Sequence, residues 1–121
     1  MATKRMTVGQ AIIEFLANQY TVDGNVRVRT IQGVFGIFGH GNVAGVGQAL
    51  KQYSVEQPQL MPYHQARNEQ AMVHEATAFS RVNRRLSTFA CAASVGPGAT
   101  NMLTGAAVVR SEEHTSELQS H

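Results

Sequence analysis

Cysteine is almost missing from this chain: Cys91 stands alone among 121 residues. An internal disulfide is thereby excluded, and an oxidising compartment gains no support. The apolar flanks Phe89-Ala90 and Ala92-Ala93 suggest a buried, inert thiol, whereas a nucleophile needs exposure and an activating histidine. Long apolar runs are missing too. Stretches such as Phe89 to Ala93 fall far short of the roughly 20 residues of a membrane span, and the start lacks a charged-then-apolar signal pattern. A cytoplasmic protein is expected, with no membrane partner. Charge of one sign is also scarce, with a net charge of +2. Lys4, Arg5, Arg27, Arg29, Lys51 and Arg67 are scattered, whereas a nucleic-acid surface needs them clustered. Arg81, Arg84 and Arg85 do sit together, at the end of an expected helix, where cations complement the last exposed carbonyls. No nucleic-acid partner is expected.

What is present suffices for one α/β domain, since 43% of the residues are apolar and one core can form. Thr7-Val8-Gly9-Gln10 is a capping box, and Val8, Ile12, Phe15, Leu16 and Tyr20 follow as the apolar stripe of a first helix. Asp23-Gly24-Asn25 marks a turn, and residues 26–30 alternate apolar with basic, as an exposed strand or an extended loop would. Residues 33–38 suit a strand buried on both faces, leading through Gly39-His40-Gly41 into a helix capped by Asn42. Val43, Val46, Leu50 and Tyr53 mark that helix's buried face. A second strand is expected over 60–65. A third helix begins at Arg67-Asn68-Glu69-Gln70 with Asn68 as its cap, and Met72, Val73, Ala76 and Phe79 form its core stripe. A third strand over 87–94 and a fourth helix over 99–109 complete the pattern. Strands separated by helices imply parallel βαβ units, hence an open parallel sheet with flanking helices.

Residues 110–121 behave differently. Arg110-Ser111-Glu112-Glu113-His114-Thr115-Ser116-Glu117-Leu118-Gln119-Ser120-His121 is polar throughout and contributes little to any core. It looks like the in-frame translation of a common sequencing-library adapter, a non-native tail that belongs outside fold reasoning. The domain is therefore residues 1–109, and His114 and His121 have no part in function. Without the tail the chain holds nine basic and five acidic residues.

Ligands of open parallel sheets bind beyond the carboxyl ends of the strands, where loops and helix amino termini offer backbone donors. Gly39-His40-Gly41-Asn42, Arg67-Asn68-Glu69-Gln70 and Gly96-Pro97-Gly98-Ala99-Thr100-Asn101 all fall there. Gly39-His40-Gly41-Asn42-Val43-Ala44 also reads as a dinucleotide fingerprint, although the next strand ends in His64-Gln65-Ala66-Arg67, with no acid to bind ribose hydroxyls. Arg67, a potential 2′-phosphate contact, is what remains for that oxidoreductase reading; a non-catalytic α/β module is a third. No metal site is expected, because His74-Glu75-Ala76-Thr77-Ala78 lacks the second histidine of a zinc-protease helix. His64 reads as a strand-end histidine held by hydrogen bonds.

Three motifs in order carry a resemblance that runs from Thr7 to Val109. Val34-Phe35-Gly36-Ile37-Phe38-Gly39, Arg67-Asn68-Glu69-Gln70-Ala71-Met72-Val73-His74 and Ser94-Val95-Gly96-Pro97-Gly98-Ala99-Thr100-Asn101 resemble the pyrimidine-binding domain of thiamine-diphosphate enzymes related to acetolactate synthase. Within that superfamily, Phe38-Gly39-His40-Gly41-Asn42-Val43 and Arg67-Asn68-Glu69-Gln70 are similar to the trihydroxycyclohexane-1,2-dione hydrolases of inositol breakdown.

The resemblance implies that Glu69 hydrogen-bonds the coenzyme's aminopyrimidine ring and favours its imino tautomer, a role suited to a carboxyl group in a mostly dry cleft. It also implies a hydrolase acting on a carbon–carbon bond: a cyclic dione is cleaved between its carbonyls and opened to an acid. A helix amino terminus favours the Glu69 carboxylate and an apolar pocket disfavours it, so the sequence leaves its ionisation open. His40 either contacts or protonates the dione or is a loop histidine in solvent. Phe38, Gly39, Gly96, Pro97 and Asn101 carry over as walls or backbone contacts for the pyrimidine ring. Relatives bind Mg2+ and diphosphate through Gly-Asp-Gly in a separate domain, often on another subunit of a homo-oligomer. That sequence does not occur here, so a fragment holding half a site, inactive alone, is expected.

Overall fold

The structure is a computed structural model that describes residues 3–119, with side-chain surroundings through Ser111. In chain order its elements are α1 (Val8–Ala17), β1 (Tyr20–Asp23), β2 (Val26–Arg29), β3 (Ile31–Ile37), α2 (His40–Asn42), α3 (Gln48–Glu56), β4 (Tyr63–Gln65), α4 (Glu69–Val82), β5 (Thr88–Ala93) and α5 (Pro97–Gln119). A π-helical turn, Val43–Gly47, joins α2 to α3, so residues 40–56 form one helical rod. Three strands pair in the order β4-β3-β5, both ladders parallel. The α/β class and the open parallel sheet with four helical units are thus as expected from the sequence.

Each element has a local cause. The capping box is present: the Gln10 N–H donates to Thr7 Oγ1 at 3.1 Å and the Thr7 N–H to Gln10 Oε1 at 2.8 Å. This satisfies two of the orphan donors at the start of α1. The expected buried stripe is displaced, however. Val8, Ile12 and Phe15 are 77%, 44% and 64% exposed, whereas Ile13 is fully buried, with Gly9 and Ala17 beside it. Small residues allow the closest helix approach, so α1 turns its narrow side inward. Tyr20 is not helical, because Asn18 ends α1. Tyr20 opens β1, which pairs antiparallel with β2, resolving the strand-or-loop ambiguity of residues 26–30 as a hairpin. Gly24 takes φ +62° at its tip, where a side chain would be strained.

The two sheet faces build separate cores. On one, Ile13, Ala17, Val34, Ala49, Leu50 and Met61 form a buried cluster joined by Tyr63, Ala90 and Ala92. Val43, expected there, is 57% exposed. Met61 reaches this cluster from outside β4, which is shorter than the expected strand over 60–65. On the other face the Phe35 and Phe89 rings stack at 4.5 Å, and Phe79 of α4 meets Phe89 edge-on at 4.8 Å. Met72 and Ala76 are buried behind them. Truncating the fully buried Ile13 or Met72 to alanine costs about 2–5 kcal/mol, the scale of a lost core side chain.

At the end of α4 the positive-φ pair Arg84 and Arg85 (φ 59° and 60°) turns the chain back toward β5. Arg84 then bridges to Asp23 of the hairpin at 3.0 Å. Only Arg81 of that trio sits in the helix's last turn. Helix α5 begins at Pro97 and its backbone stays helical to Gln119, past the expected end at 109. The side chains of residues 112–119, His114 among them, and residues 120 and 121, with His121, lie outside the described residues. No helix among the described residues is long and apolar enough to cross a membrane.

Candidate functional site

Parallel pairing brings the carboxyl ends of β3, β4 and β5 to one rim, so the three following loops meet there. After β4, Ala66 donates to Gly36 O at 3.0 Å, and Asn68 takes an extended conformation (φ −149°, ψ 127°). Its side chain accepts from the Ala71 N–H at 2.9 Å. This cap makes Glu69 the first residue of α4 and points that helix's free N–H groups at the rim. After β5, Gly96 takes φ +73°, a bend that favours glycine. Pro97 then opens α5, at the helical position where its missing N–H costs nothing.

The helices that follow these loops, α4 and α5, are joined at the rim by a hydrogen bond. Asn101 Nδ2 donates to Glu69 Oε1 at 3.0 Å. Together with Gly96, Pro97, Gly98, Thr100 and Thr104, the pair lines an open cleft of about 920 Å³. The Asn101 amide, and next the backbone N–H of Glu69 itself, hold its carboxyl below the usual carboxylate range, outweighing the opposing effect of desolvation.

The other expected site residues divide differently. Gly39 and His40 line a neighbouring cleft of about 470 Å³ with Gly41, Asn42, Ala93, Ser94 and Val95. His40 is exposed in its mouth. Gly39, not Asn42, is the cap residue of α2; Asn42 lies inside the helical rod and its amide donates to Ala93 O at 3.2 Å. That bond ties the rod to the end of β5. Phe38 belongs to neither cleft. Its ring stacks on Tyr63 at 5.1 Å and lines a third cavity with Val43, Leu50 and Lys51, on the side of the sheet covered by α3. Asn101, expected as a wall, lines the cleft and also donates to Glu69. Arg67 is exposed ahead of α4.

Ser94, not singled out in the sequence, sits between the two clefts. A Cβ on Gly39 would stand 2.7 Å from Ser94 Cβ, and one on Gly98 would stand 2.5 Å from Ser94 Oγ and 3.2 Å from Glu69 Oε2. Both glycines are thus needed for their loops to close around Ser94. A serine directly after a half-buried run of small strand residues was the available signal. Cys91 is half-buried, its Sγ 3.7 Å from Met72 O. Burial, and secondarily the charge of Glu75, push its thiol up to about 11.

A model of the family described as "Thiamine pyrophosphate enzyme, N-terminal TPP binding domain" matches residues 6–114. The chain belongs to this family. Curated relatives of this thiamine pyrophosphate enzyme domain include proteins named 3D-(3,5/4)-trihydroxycyclohexane-1,2-dione hydrolase. The Clostridium botulinum protein is 47% identical over 107 residues, 88% of this chain and 16% of its own length. That of Clostridium perfringens is 48% identical over 103 residues, 85% of this chain and 16% of its own length. That of Geobacillus thermodenitrificans is 47% identical over 107 residues, again 88% and 16%. The chain therefore spans about 16% of the length of the curated relatives it matches. No solved structure matches it.

The rim chemistry fits the pyrimidine end of thiamine diphosphate. Glu69 supplies a carboxylate acceptor on an open cleft, and the absent Cβ of Gly98 lets α5 start close beside Oε2 and the Ser94 hydroxyl. Among the described residues no three His, Cys, Asp or Glu side chains gather to hold a metal ion.

Proposed function

We propose that this chain is the pyrimidine-binding part of a thiamine-diphosphate-dependent hydrolase that opens the ring of a trihydroxycyclohexane-1,2-dione in inositol breakdown. The observation that carries this reading is the Glu69 carboxylate, set in the first turn of α4 at the carboxyl rim of a parallel sheet and facing the Gly96 to Asn101 loop. Thiamine diphosphate, when bound, supplies a nucleophilic carbon for attack on a ketone. The chain's own residues bind and orient its ring. Glu69 accepts a hydrogen from the aminopyrimidine, and Gly96 and Pro97 form the wall beside it. Gly39 is the backbone approach on the Ser94 side.

His40, exposed one loop away, is placed by this reading on the dione side. There it donates to or protonates a substrate oxygen, chemistry that an imidazole performs near neutral pH. Phe38 acts indirectly, by packing under the loop. The Mg2+ and diphosphate grip and the remaining walls belong to other parts of a longer chain or to a second copy in a homo-oligomer. The isolated chain then gives no turnover. Residues 110–121 serve as a non-native tail, and the cytoplasm is the proposed location.

The test uses the complete enzyme carrying this domain. Glu69→Gln is expected to lower thiamine-dependent ring opening by roughly 10²–10⁴, the range for loss of a proton-handling group, with an unchanged circular dichroism spectrum. Turnover equal to the parent's would refute the role. In the same assay His40→Ala should lower kcat with little change in coenzyme affinity.

A further inference from the structure

Helix α5 meets α4 along a face made of Gly98, Asn101 and Gly105, residues three and four apart and therefore aligned on one side. The approach to α4 is too close for a side chain at Gly105 and tight at Gly98. A Cβ on Gly105 would stand 2.8 Å from Val73 Cγ1 and 2.9 Å from Val73 Cβ, and one on Gly98 would stand 3.2 Å from Glu69 Oε2. Asn101, the polar residue between them, donates to Glu69 Oε1 at 3.0 Å. The contact is partly buried. Glu69 itself is on the first turn of α4, where its χ angles have no neighbouring helical turn before them to lock them. One cross-helix bond and the absence of two Cβ atoms therefore determine where the carboxylate sits.

We infer that Asn101 is the positioning residue of Glu69: the glycine-bounded face of α5 brings its amide onto Oε1, and this fixes the carboxylate with Oε2 against Gly98 and the mouth of the cleft. This deepens the proposed function and rests on its reading of Glu69 as the group that meets the coenzyme. Asn101 need not touch the coenzyme. Its effect passes through Glu69, as outer partners orient the groups that perform chemistry. The groups acting on Glu69 are few: the Asn101 amide, its own N–H and desolvation, with no other titratable side chain among them.

The carboxyl titration of Glu69 in this chain reads the contact without requiring activity. With 13C-labelled glutamate, the Glu69 signal is the one missing from Glu69→Gln. Its midpoint is expected below the ordinary glutamate value in the parent, moving upward in Asn101→Leu, while the other glutamate signals stay in place. Gly105→Ala keeps the amide but pushes the helices apart, so it should move the same signal in the same direction. Should Asn101→Leu fail to fold, Asn101→Asp reads the same contact at equal size, with two carboxyls facing each other and one midpoint raised. A Glu69 midpoint unmoved in a folded Asn101→Leu or Asn101→Asp variant overturns the inference. In the complete enzyme Asn101→Leu is expected to lower kcat about tenfold, the scale of one hydrogen bond to a charged group, with a smaller change in KM. Failure of the functional reading is distinguishable: Glu69→Gln would then retain turnover while the titration shifts remain.

Discussion

Gly9 and Gly45 form one backbone contact, yet alanine at each is predicted to act with opposite sign. Gly9 lies in the first turn of α1, buried against the π-helical turn that follows His40. A Cβ there would stand 2.5 Å from Gly45 O, 2.6 Å from Gly45 C and 3.1 Å from Gly45 Cα. Ordinary carbon separations are about 3.5 Å or more, so helix and turn must part by about 1 Å. The obstacle is main chain, which has no rotamer to yield, and overpacking of this kind costs about 1–3 kcal/mol. Against it stands a gain of at most about 1 kcal/mol in helix propensity. Taking the upper part of the first range leaves Gly9→Ala destabilised by about 2 kcal/mol, a loss of roughly 8 °C in Tm for a chain of this size. At Gly45 nothing lies within 4 Å of the added carbon. Gly45→Ala should therefore be neutral or stabilised by about 0.5–1 kcal/mol. Thermal unfolding followed by circular dichroism, with urea unfolding as a second measure, compares the three proteins. A Gly9→Ala protein that melts with or above the parent would refute the close approach, as would a Gly45→Ala protein that falls as far.

Two further outcomes follow from the same structure. Cys91, pushed up to about 11 by burial, stays a thiol in the folded chain while an unfolded thiol ionises near its ordinary value of about 8.5. Alkylation at pH 8 should be slow until urea opens the fold, and the stability this group contributes should decline as pH rises from about 9 toward 11; rapid alkylation of the folded chain would contradict its burial. Thr7→Ala removes one half of the capping box and is expected to cost about 1 kcal/mol in urea unfolding. An unchanged midpoint would mean that the start of α1 is held from elsewhere.

The fold was readable wherever a local pattern had one solution. Asn68 before Glu69, the Thr7 and Gln10 pair, and the apolar run of β3 each combine a cap or period with a clear boundary, and the structure places them accordingly. Reading failed where tertiary contact decided. The large residues of α1 form a good stripe, but the helix buries Gly9, Ile13 and Ala17 because close backbone approach to the π turn outweighs area on the other side. Asn42 looks like a cap in the sequence, yet Gly39 starts the helix and frees the Asn42 amide for Ala93. At the rim, Glu69, Gly96, Pro97 and Asn101, grouped by motif order, were found lining one cleft. Phe38 was not, because successive residues leaving a strand point to opposite sides, and its ring goes with Tyr63. Ser94 escaped notice because its importance lies in two missing Cβ atoms on other loops.

The sheet order β4-β3-β5 makes the first-synthesised strand of the sheet its middle one. While the nascent polypeptide leaves the ribosome, the amides and carbonyls of β3 wait for two partners that have not yet been translated, and neither comes from upstream. Tyr63–Gln65 emerges before Thr88–Ala93, so until β5 is made β3 has a partner for one edge only. Non-local closure of this kind is slow, and a half-paired apolar strand invites association with a neighbouring nascent chain. Chaperone dependence during translation would be the cellular expression of that delay.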